Sequence, residues 1–290
     1  MNHVKTFLLM TVLTVLFVIV GGAIAGEGGA IVALAVAVAM NVAVWWNSDR
    51  LAIRMTRSRP LSRAQSPELY DMVERLAKRA SIPAPKVYLQ PSAQPNAFAT
   101  GRSPRNAVIA VTDGLVQQLN ANEIEGVIAH ELAHIKHYDT LISTVAAAFA
   151  GAITVLARIG TWGLLLGGGR GRDNGNAITL LLAIVLAPLA AMLIRMAVSR
   201  SREFAADRRA ADITGSPEGL MNALSKLDSL SQRSRMQVNE AAGHMYIVNP
   251  LRGAGGMAAL FSTHPPMEKR IERLRRITEK GQATARLRTR

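Results

Sequence analysis

The chain has 290 residues, a mass of 31.1 kDa and a formal net charge of +14, with 49% apolar but only 4% aromatic residues. It contains no cysteine, which excludes disulfide bonds, thiolate metal sites and thiol nucleophiles. The apolar residues are concentrated in a few long runs, a pattern typical of membrane-spanning helices. No nucleic-acid-binding motif accompanies the positive charge, so we expect no nucleic acid among the partners.

Four apolar runs predict four transmembrane helices in two hairpins. They cover residues 6–26, 28–48, 140–157 and 174–194. The first two have 21 residues each, and a helix of that length crosses about 30 Å of hydrocarbon. The first run also fits a cleaved signal peptide, because Lys5 precedes it, but the second run follows at once and favours a hairpin.

The third run is the shortest of the four. It has 18 uncharged residues before Arg158, and an arginine at a helix centre costs roughly 2.5–3.5 kcal/mol on insertion. Either the helix ends near Ala157, or the side chain of Arg158 reaches an interface. A buried core helix is the alternative, because the run is near the lower length limit of a span.

The positions of the basic residues predict the orientation of the hairpins. Arginines follow the second and fourth runs, whereas residues 21–29 contain no lysine or arginine. The positive-inside rule therefore places these flanks in the cytoplasm and both hairpin tips outside. Basic flanks also attract anionic headgroups of the lipid bilayer. The C-terminal basic tail either does the same or is a solvated helix face. The flanking arginines are Arg50, Arg54, Arg57, Arg59, Arg63, Arg195, Arg200, Arg202, Arg208 and Arg209.

The spans divide the chain into four parts. Residues 1–49 form transmembrane hairpin 1, and residues 140–198 form transmembrane hairpin 2. Residues 50–139 and 199–290 form the two pieces of one cytoplasmic domain. We expect an α+β fold for this domain, mostly helical with a small sheet.

Local patterns predict the elements of the cytoplasmic domain. Asn120 and Glu123 have the spacing of a capping box and begin a helix. The segment 107–112 either is an edge strand that receives an extended substrate or is an ordinary strand. Further helices are predicted at 67–80, 201–214 and 267–276, and further strands at 86–90 and 97–100.

The capped helix carries the stretch HELAHIKHYD, residues 130–139. His130 and His134 are four residues apart, so they project from one helical face and both reach a single ion. Glu131 lies beside His130 and has the position of the general base in HExxH metalloproteases. The alternative is two histidines on an ordinary exposed helix.

A catalytic zinc site needs a third protein ligand. The second predicted hairpin returns the chain to the cytoplasm just before SREFAAD, residues 201–207. We expect Glu203 to be the third ligand of one zinc ion per chain. Asp207, one turn further, is expected to accept the outer N–H of a ligand histidine, or alternatively to form an ion pair with a neighbouring arginine. Sites of this composition also accept cobalt or manganese.

These motifs, together with PNAFA at 95–99 and STHPP at 262–266, resemble the HtpX-type membrane zinc endopeptidases of bacteria over nearly the whole chain. The related CAAX prenyl peptidases share the motifs but have more spans. The resemblance implies a gluzincin-like zinc-protease domain on the cytoplasmic face of the bacterial cytoplasmic (inner) membrane. It also implies a role in quality control of misfolded or damaged membrane proteins.

The resemblance further implies roles for four residues. His264 and Arg270 are expected to stabilise the oxyanion, the alternatives being a helix cap and an arginine packed on the surface. Asn96 and Phe98 are expected to line the substrate, although Phe98 also suits a core position.

The sequence therefore predicts a membrane-embedded zinc-dependent endopeptidase that cleaves membrane proteins and unfolded proteins. The alternative is a non-proteolytic zinc-binding scaffold or sensor, which Glu131 argues against, because purely structural sites more often fill all four metal positions with protein ligands. No regulatory partner is identifiable from the sequence.

Overall fold

The structure of the protein, a computed structural model, describes most of the chain. His264, the fourth predicted span and the end of the third lie outside the described residues. The described residues are 2–148, 200–231, 243, 245–248 and 265–288.

The N-terminal helix α1 (Asn2–Trp46) consists of two arms joined by a sharp bend. At the bend Gly26 has φ 62° and ψ −149°, a conformation that glycine adopts without a steric penalty. Asn41 Nδ2 donates a hydrogen bond to Thr14 Oγ1 at 2.8 Å. Because these residues belong to different arms, the arms lie side by side as a helical hairpin.

One helical segment of the described residues is long and apolar enough to cross a membrane, namely Ala25–Trp46 with 22 residues. Its large apolar side chains are mostly exposed, as expected where lipid replaces water. Thr6–Ile19 and Asp139–Ala148 are apolar but shorter. The described residues thus contain one clear span, and the arrangement of four spans stays a prediction.

The described part of the cytoplasmic domain contains a small mixed sheet in the order β1-β2-β4-β3. Its strands are β1 (Arg59–Pro60), β2 (Lys86–Gln90), β3 (Ala97–Thr100) and β4 (Val108–Thr112). Strand β4 pairs parallel with β2 and antiparallel with β3. Of the two alternatives for 107–112, the ordinary strand is confirmed and the edge strand is wrong, because neighbours cover both sides of β4. The edge strands of the sheet are β1 and β3.

Helices surround this sheet, which confirms a mostly helical domain with a small sheet. The predicted capping box is confirmed: Asn120 Oδ1 accepts from Glu123 N, and Glu123 Oε2 accepts from Asn120 N. The last helix is longer than predicted, because residues 277–288 contain no proline and continue the helix. The helices of the described residues are α2 (Ser48–Thr56), α3 (Pro67–Ala80), α4 (Asp113–Gln118), α5 (Ala121–Lys136), α6 (Asp139–Ala148), α7 (Arg200–Thr214), α8 (Glu218–Ser231) and α9 (Met267–Arg288).

Helix α5 is the centre of the core. Its buried side chains Val127, Ile128 and Leu132 belong to one apolar cluster with residues of the sheet, α3 and α8. At Gly126 an added Cβ would stand 2.3 Å from Leu220 N, so the absence of a side chain allows α8 to pack directly on α5. This packing fixes the helix that carries the two motif histidines.

Candidate metal centre

The motif histidines face each other across one turn of α5. His130 is 1% exposed and the side chain of His134 is 14% exposed. Their Nε2 atoms are 3.1 Å apart. This short distance shows that the two nitrogens point to one position.

Glu203 reaches the same position from α7. Its Oε1 lies 3.5 Å from His134 Nε2, and its Oε2 lies 3.8 Å from His130 Nε2. These ligand atoms all lie within 4.8 Å of one another. Ligands about 2.0–2.1 Å from an ion in a tetrahedral site are separated by about 3.3 Å. The observed separations are close to this value, so the three residues fit a divalent metal ion.

The Nδ1 atom of each histidine forms a hydrogen bond with a carboxylate. His130 Nδ1 donates to Asp207 Oδ1 at 3.0 Å. Arg270, on α9, clamps that carboxylate through Nε to Oδ2 at 2.9 Å and Nη2 to Oδ1 at 2.6 Å. Burial alone would raise the pKa of Asp207, but the charge of Arg270 and these hydrogen bonds hold it below its usual range. The arrangement directs the Nε2 lone pair of His130 to the metal position.

The second histidine has a matching support that the sequence reasoning did not identify. His134 Nδ1 donates to Asp139 Oδ2 at 3.0 Å, and Arg202 Nη1 donates to Asp139 Oδ1 at 3.2 Å. Tyr138, with φ 59°, turns the chain between α5 and α6 and brings Asp139 back beside His134. A non-glycine residue in this conformation is uncommon and often marks a functional site. The available signal was Asp139 itself, the last residue of HELAHIKHYD.

The electrostatics favour one positive charge between the ligands. Burial is the main cause that lowers the pKa of His130 to about 4, so this imidazole is neutral. Burial also lowers the pKa of His134, but Glu203 and Asp139 outweigh it and raise that pKa to about 9. The acidic side chains therefore stabilise a cation at this position, and either a proton or a metal ion supplies it.

Glu131 and Arg270 complete the surroundings of the cluster. Glu131 is 3% exposed, and its charge contributes to raising the pKa values of His134 and Arg270. Arg270 is 0% exposed, which rules out the alternative of an arginine packed on the surface. Its predicted role at the oxyanion stays a prediction.

Asn96 and Phe98 lie on the neighbouring edge of the sheet, and both are 0% exposed. Phe98 packs against Tyr246, with ring centroids 5.1 Å apart. The carboxamide of Asn96 bonds the main chain of Val248. Contact of these two residues with substrate stays a prediction, as does the role of His264.

Two histidines four residues apart on one helix, a glutamate beside the first and a carboxylate as third ligand are typical of metal-dependent peptidases. A model of peptidase family M48 matches residues 63–278, which include every residue of the cluster. The chain belongs to peptidase family M48, and it is a metalloprotease with an apolar N-terminal membrane helix.

Several curated relatives are similar over almost their entire length. The chain is 52% identical over 279 residues to a "Protease HtpX homolog" of Pelotomaculum thermopropionicum, covering 94% of this chain and 98% of that one. It is 52% identical over 281 residues to the protein with the same description in Syntrophotalea carbinolica, covering 96% and 99%. The relative from Pyrococcus furiosus is 51% identical over 276 residues, covering 94% and 95%. These relatives confirm the resemblance to the HtpX type.

One solved structure is a more distant match. It is described as the crystal structure of S. mikatae Ste24p, with 21% sequence identity and a TM-score of 0.44. The match covers 80% of this chain and 58% of that one.

The support for His134 leads to a first prediction. Replacing Asp139 with asparagine removes the negative charge that orients the imidazole of His134. We expect zinc affinity to fall about 10–100-fold, which is typical when a residue that hydrogen-bonds a metal ligand is lost. Competition with a chromophoric chelator measures this affinity independently of cleavage.

The matched control for this prediction is Asp212→Asn, an exposed carboxylate on α7. It should leave zinc affinity unchanged. Equal zinc affinities of wild type and Asp139→Asn would show that Asp139 does not support the metal ligand.

Proposed function

We propose that the chain is a zinc-dependent endopeptidase of the bacterial inner membrane that cleaves misfolded or damaged membrane proteins and unfolded proteins. One observation carries this proposal: His130, His134 and Glu203 converge within 4.8 Å, next to the buried carboxylate of Glu131. Two histidines and one glutamate are the protein ligands of well-known catalytic zinc sites, in which the remaining position stays open. This ligand set favours zinc over metals that prefer only oxygen ligands.

His130, His134 and Glu203 would hold the zinc ion, which would supply Lewis acidity towards the scissile carbonyl and a bound water molecule. Glu131 accepts the proton of that water and later gives it to the leaving amine. The Nε2 atoms of His130 and His134 are oriented towards the metal position, because Asp207 and Asp139 accept hydrogen bonds from their Nδ1–H groups. Buried Arg270 keeps the carboxylate of Asp207 in place. No covalent intermediate is required.

The non-proteolytic alternative is not favoured. A scaffold or sensor does not require a buried glutamate beside a metal site that has only three protein ligands. The chain belongs to a peptidase family, and its relatives are described as proteases. Both findings also favour a catalytic function.

The metal requirement provides the test of this proposal. Detergent-purified protein, stripped with a chelator, should not cleave casein, and stoichiometric zinc should restore cleavage. Calcium and magnesium, which prefer oxygen ligands, serve as the matched controls and should not restore it. Cleavage that continues in the stripped protein, or that returns with magnesium alone, would contradict the proposal.

The proposed topology places both pieces of the catalytic domain in the cytoplasm. Because the chain lacks cysteine, single cysteines report their side of the membrane. In intact bacterial spheroplasts, a membrane-impermeant maleimide should label Glu27→Cys at the first hairpin tip but not Arg57→Cys after α2. Labelling of Arg57→Cys before the membrane is permeabilised would contradict the proposal and indicate the opposite orientation.

A further inference from the structure

The chain bends at Asn47, between the membrane helix and the catalytic domain. Helix α1 ends at Trp46 and α2 begins at Ser48, and Asn47 between them has φ −109° and ψ 24°. Main-chain hydrogen bonds continue through the bend, from Asn47 N to Ala43 O at 3.0 Å and from Leu51 N to Asn47 O at 2.9 Å. The second arm of α1 therefore passes into α2 without a break.

The two faces of α2 have different surroundings. Ser48 and Ala52 are one turn apart and buried, and Ala52 belongs to the apolar cluster that contains Phe98 of β3. Arg50 and Arg54 are also one turn apart but are exposed. Among the described residues neither arginine has an ion-pair partner. One face of α2 thus packs on the catalytic domain, and the basic face points away from it.

A cavity of about 360 Å³ lies on the basic face. Its lining residues come from both sides of the bend, and their spacing places them on one helical face. They are Ala43, Val44, Asn47, Arg50, Leu51 and Arg54. The end of the cavity that α1 forms is therefore apolar, and the end that α2 forms carries two positive charges.

The tryptophans at the end of α1 indicate where the cavity lies in a bilayer. Trp45 and Trp46 are exposed, and they end the apolar span Ala25–Trp46. Tryptophan is enriched at the membrane–water interface. Arg102 of the catalytic domain donates from Nη1 to Trp46 O at 3.1 Å, and its guanidinium lies 4.2 Å from the centre of the Trp46 ring. The cavity thus extends from the edge of the hydrocarbon into the headgroup region.

The direction of α2 turns both arginines towards the lipids. Each Cα–Cβ bond of an α-helix is tilted towards the helix N-terminus, and the N-terminal end of α2 is its membrane end. Arg50 and Arg54 therefore lean back to the level of the headgroups. Guanidinium groups bind phosphate oxygens through two parallel N–H···O bonds. An acyl chain attached to such a phosphate would lie along the apolar end of the cavity, at Ala43 and Val44.

We propose that this cavity binds one anionic glycerophospholipid, with the headgroup phosphate on Arg50 and Arg54 and an acyl chain along Ala43 and Val44. A zwitterionic phospholipid carries the same phosphate together with a cation, which the two arginines repel. The site is therefore selective for headgroups with a net negative charge. Lipid binding does not require peptidase activity, so this site is independent of the function proposed above.

Tryptophan quenching by brominated lipids tests this proposal, because bromine atoms on an acyl chain quench the indoles that they contact. The chain has three tryptophans, Trp45, Trp46 and Trp162, so Trp162→Phe leaves only the pair beside the cavity. This protein is reconstituted in phosphatidylcholine vesicles with increasing fractions of brominated phosphatidylglycerol or brominated phosphatidylcholine. We expect the phosphatidylglycerol to reach half-maximal quenching at a mole fraction about tenfold lower.

Adding Arg50→Gln/Arg54→Gln should remove this preference, so that both lipids quench equally. The matched control is Arg75→Gln/Arg79→Gln, which removes two arginines one turn apart on α3 that both face Glu125. The control should keep the preference. If the control lost it, the attraction would follow the net charge of the chain, and the proposal would be wrong. Equal quenching by the two lipids without these substitutions, or an unchanged preference in Arg50→Gln/Arg54→Gln, would also overturn it.

A soluble headgroup distinguishes a bound lipid from a free phosphodiester. Glycerophosphoglycerol carries the same phosphate without acyl chains. Added in excess over the lipid, it should leave the quenching by brominated phosphatidylglycerol unchanged, because the apolar end of the cavity contributes to binding only when an acyl chain is present. Relief of quenching by glycerophosphoglycerol would show that the cavity takes a soluble phosphodiester and would overturn the assignment to a lipid.

Discussion

Replacing Glu131 with glutamine is expected to lower casein cleavage by roughly 10²- to 10⁴-fold, the usual contribution of a positioned general base. The amide is nearly isosteric with the carboxylate but does not accept the proton of the attacking water. Glu131 is not among the ligand atoms that converge at the metal position, so zinc content should stay the same. Cleavage rates and metal analysis of one detergent-purified preparation give both results.

Glu125→Gln is the matched control for this substitution. Glu125 lies on the same helix, and its carboxylate pairs with Arg75 at 3.3 Å, away from the metal cluster. The control should cleave casein at the wild-type rate. If Glu131→Gln contained zinc and cleaved casein as fast as wild type, Glu131 would not be the general base.

Replacing Glu203 with alanine is expected to abolish both zinc binding and cleavage. Glu203 is the one ligand that does not come from α5, and without it only the two imidazoles remain at the metal position. Loss of a supporting residue behind a ligand typically costs about 10–100-fold in metal affinity, and we expect loss of the ligand itself to cost more. The affinity is again measured by competition with a chromophoric chelator.

The control for this variant is Glu218→Ala, at the start of α8, where the side chain is exposed. It removes a carboxylate of the same type without touching the metal position. Wild-type zinc affinity in Glu203→Ala would exclude Glu203 as a ligand. If Glu203→Ala kept its zinc but lost cleavage, Glu203 would have a role other than holding the metal.

The parts of the site that sequence predicts are those defined by local spacing. A four-residue interval on one helix places His130 beside His134, and the same interval on α7 places Glu203 and Asp207 on one face. Predicted strands at 86–90 and 97–100 were also correct, because alternation and flanking turn residues are local signals.

The remaining features depend on contacts between distant parts of the chain. The sheet order was not predictable, since the apolar pattern of β4 is the same for an edge strand and an inner strand. Residues 246–248 contact β3 and Asn96 from about 150 positions away, and no local pattern indicates such a partner. The contact of Asp139 with His134 needs the left-handed conformation of Tyr138, which is unusual for tyrosine.

The central claim is that His130, His134 and Glu203 hold the one metal ion on which cleavage depends. Zinc titration of chelator-stripped protein, with casein cleavage followed at each addition, tests it most directly. Cleavage should rise in proportion to added zinc and reach its plateau at one zinc per chain. Full cleavage without zinc, or one tightly bound zinc per chain with no cleavage of casein, would contradict the account.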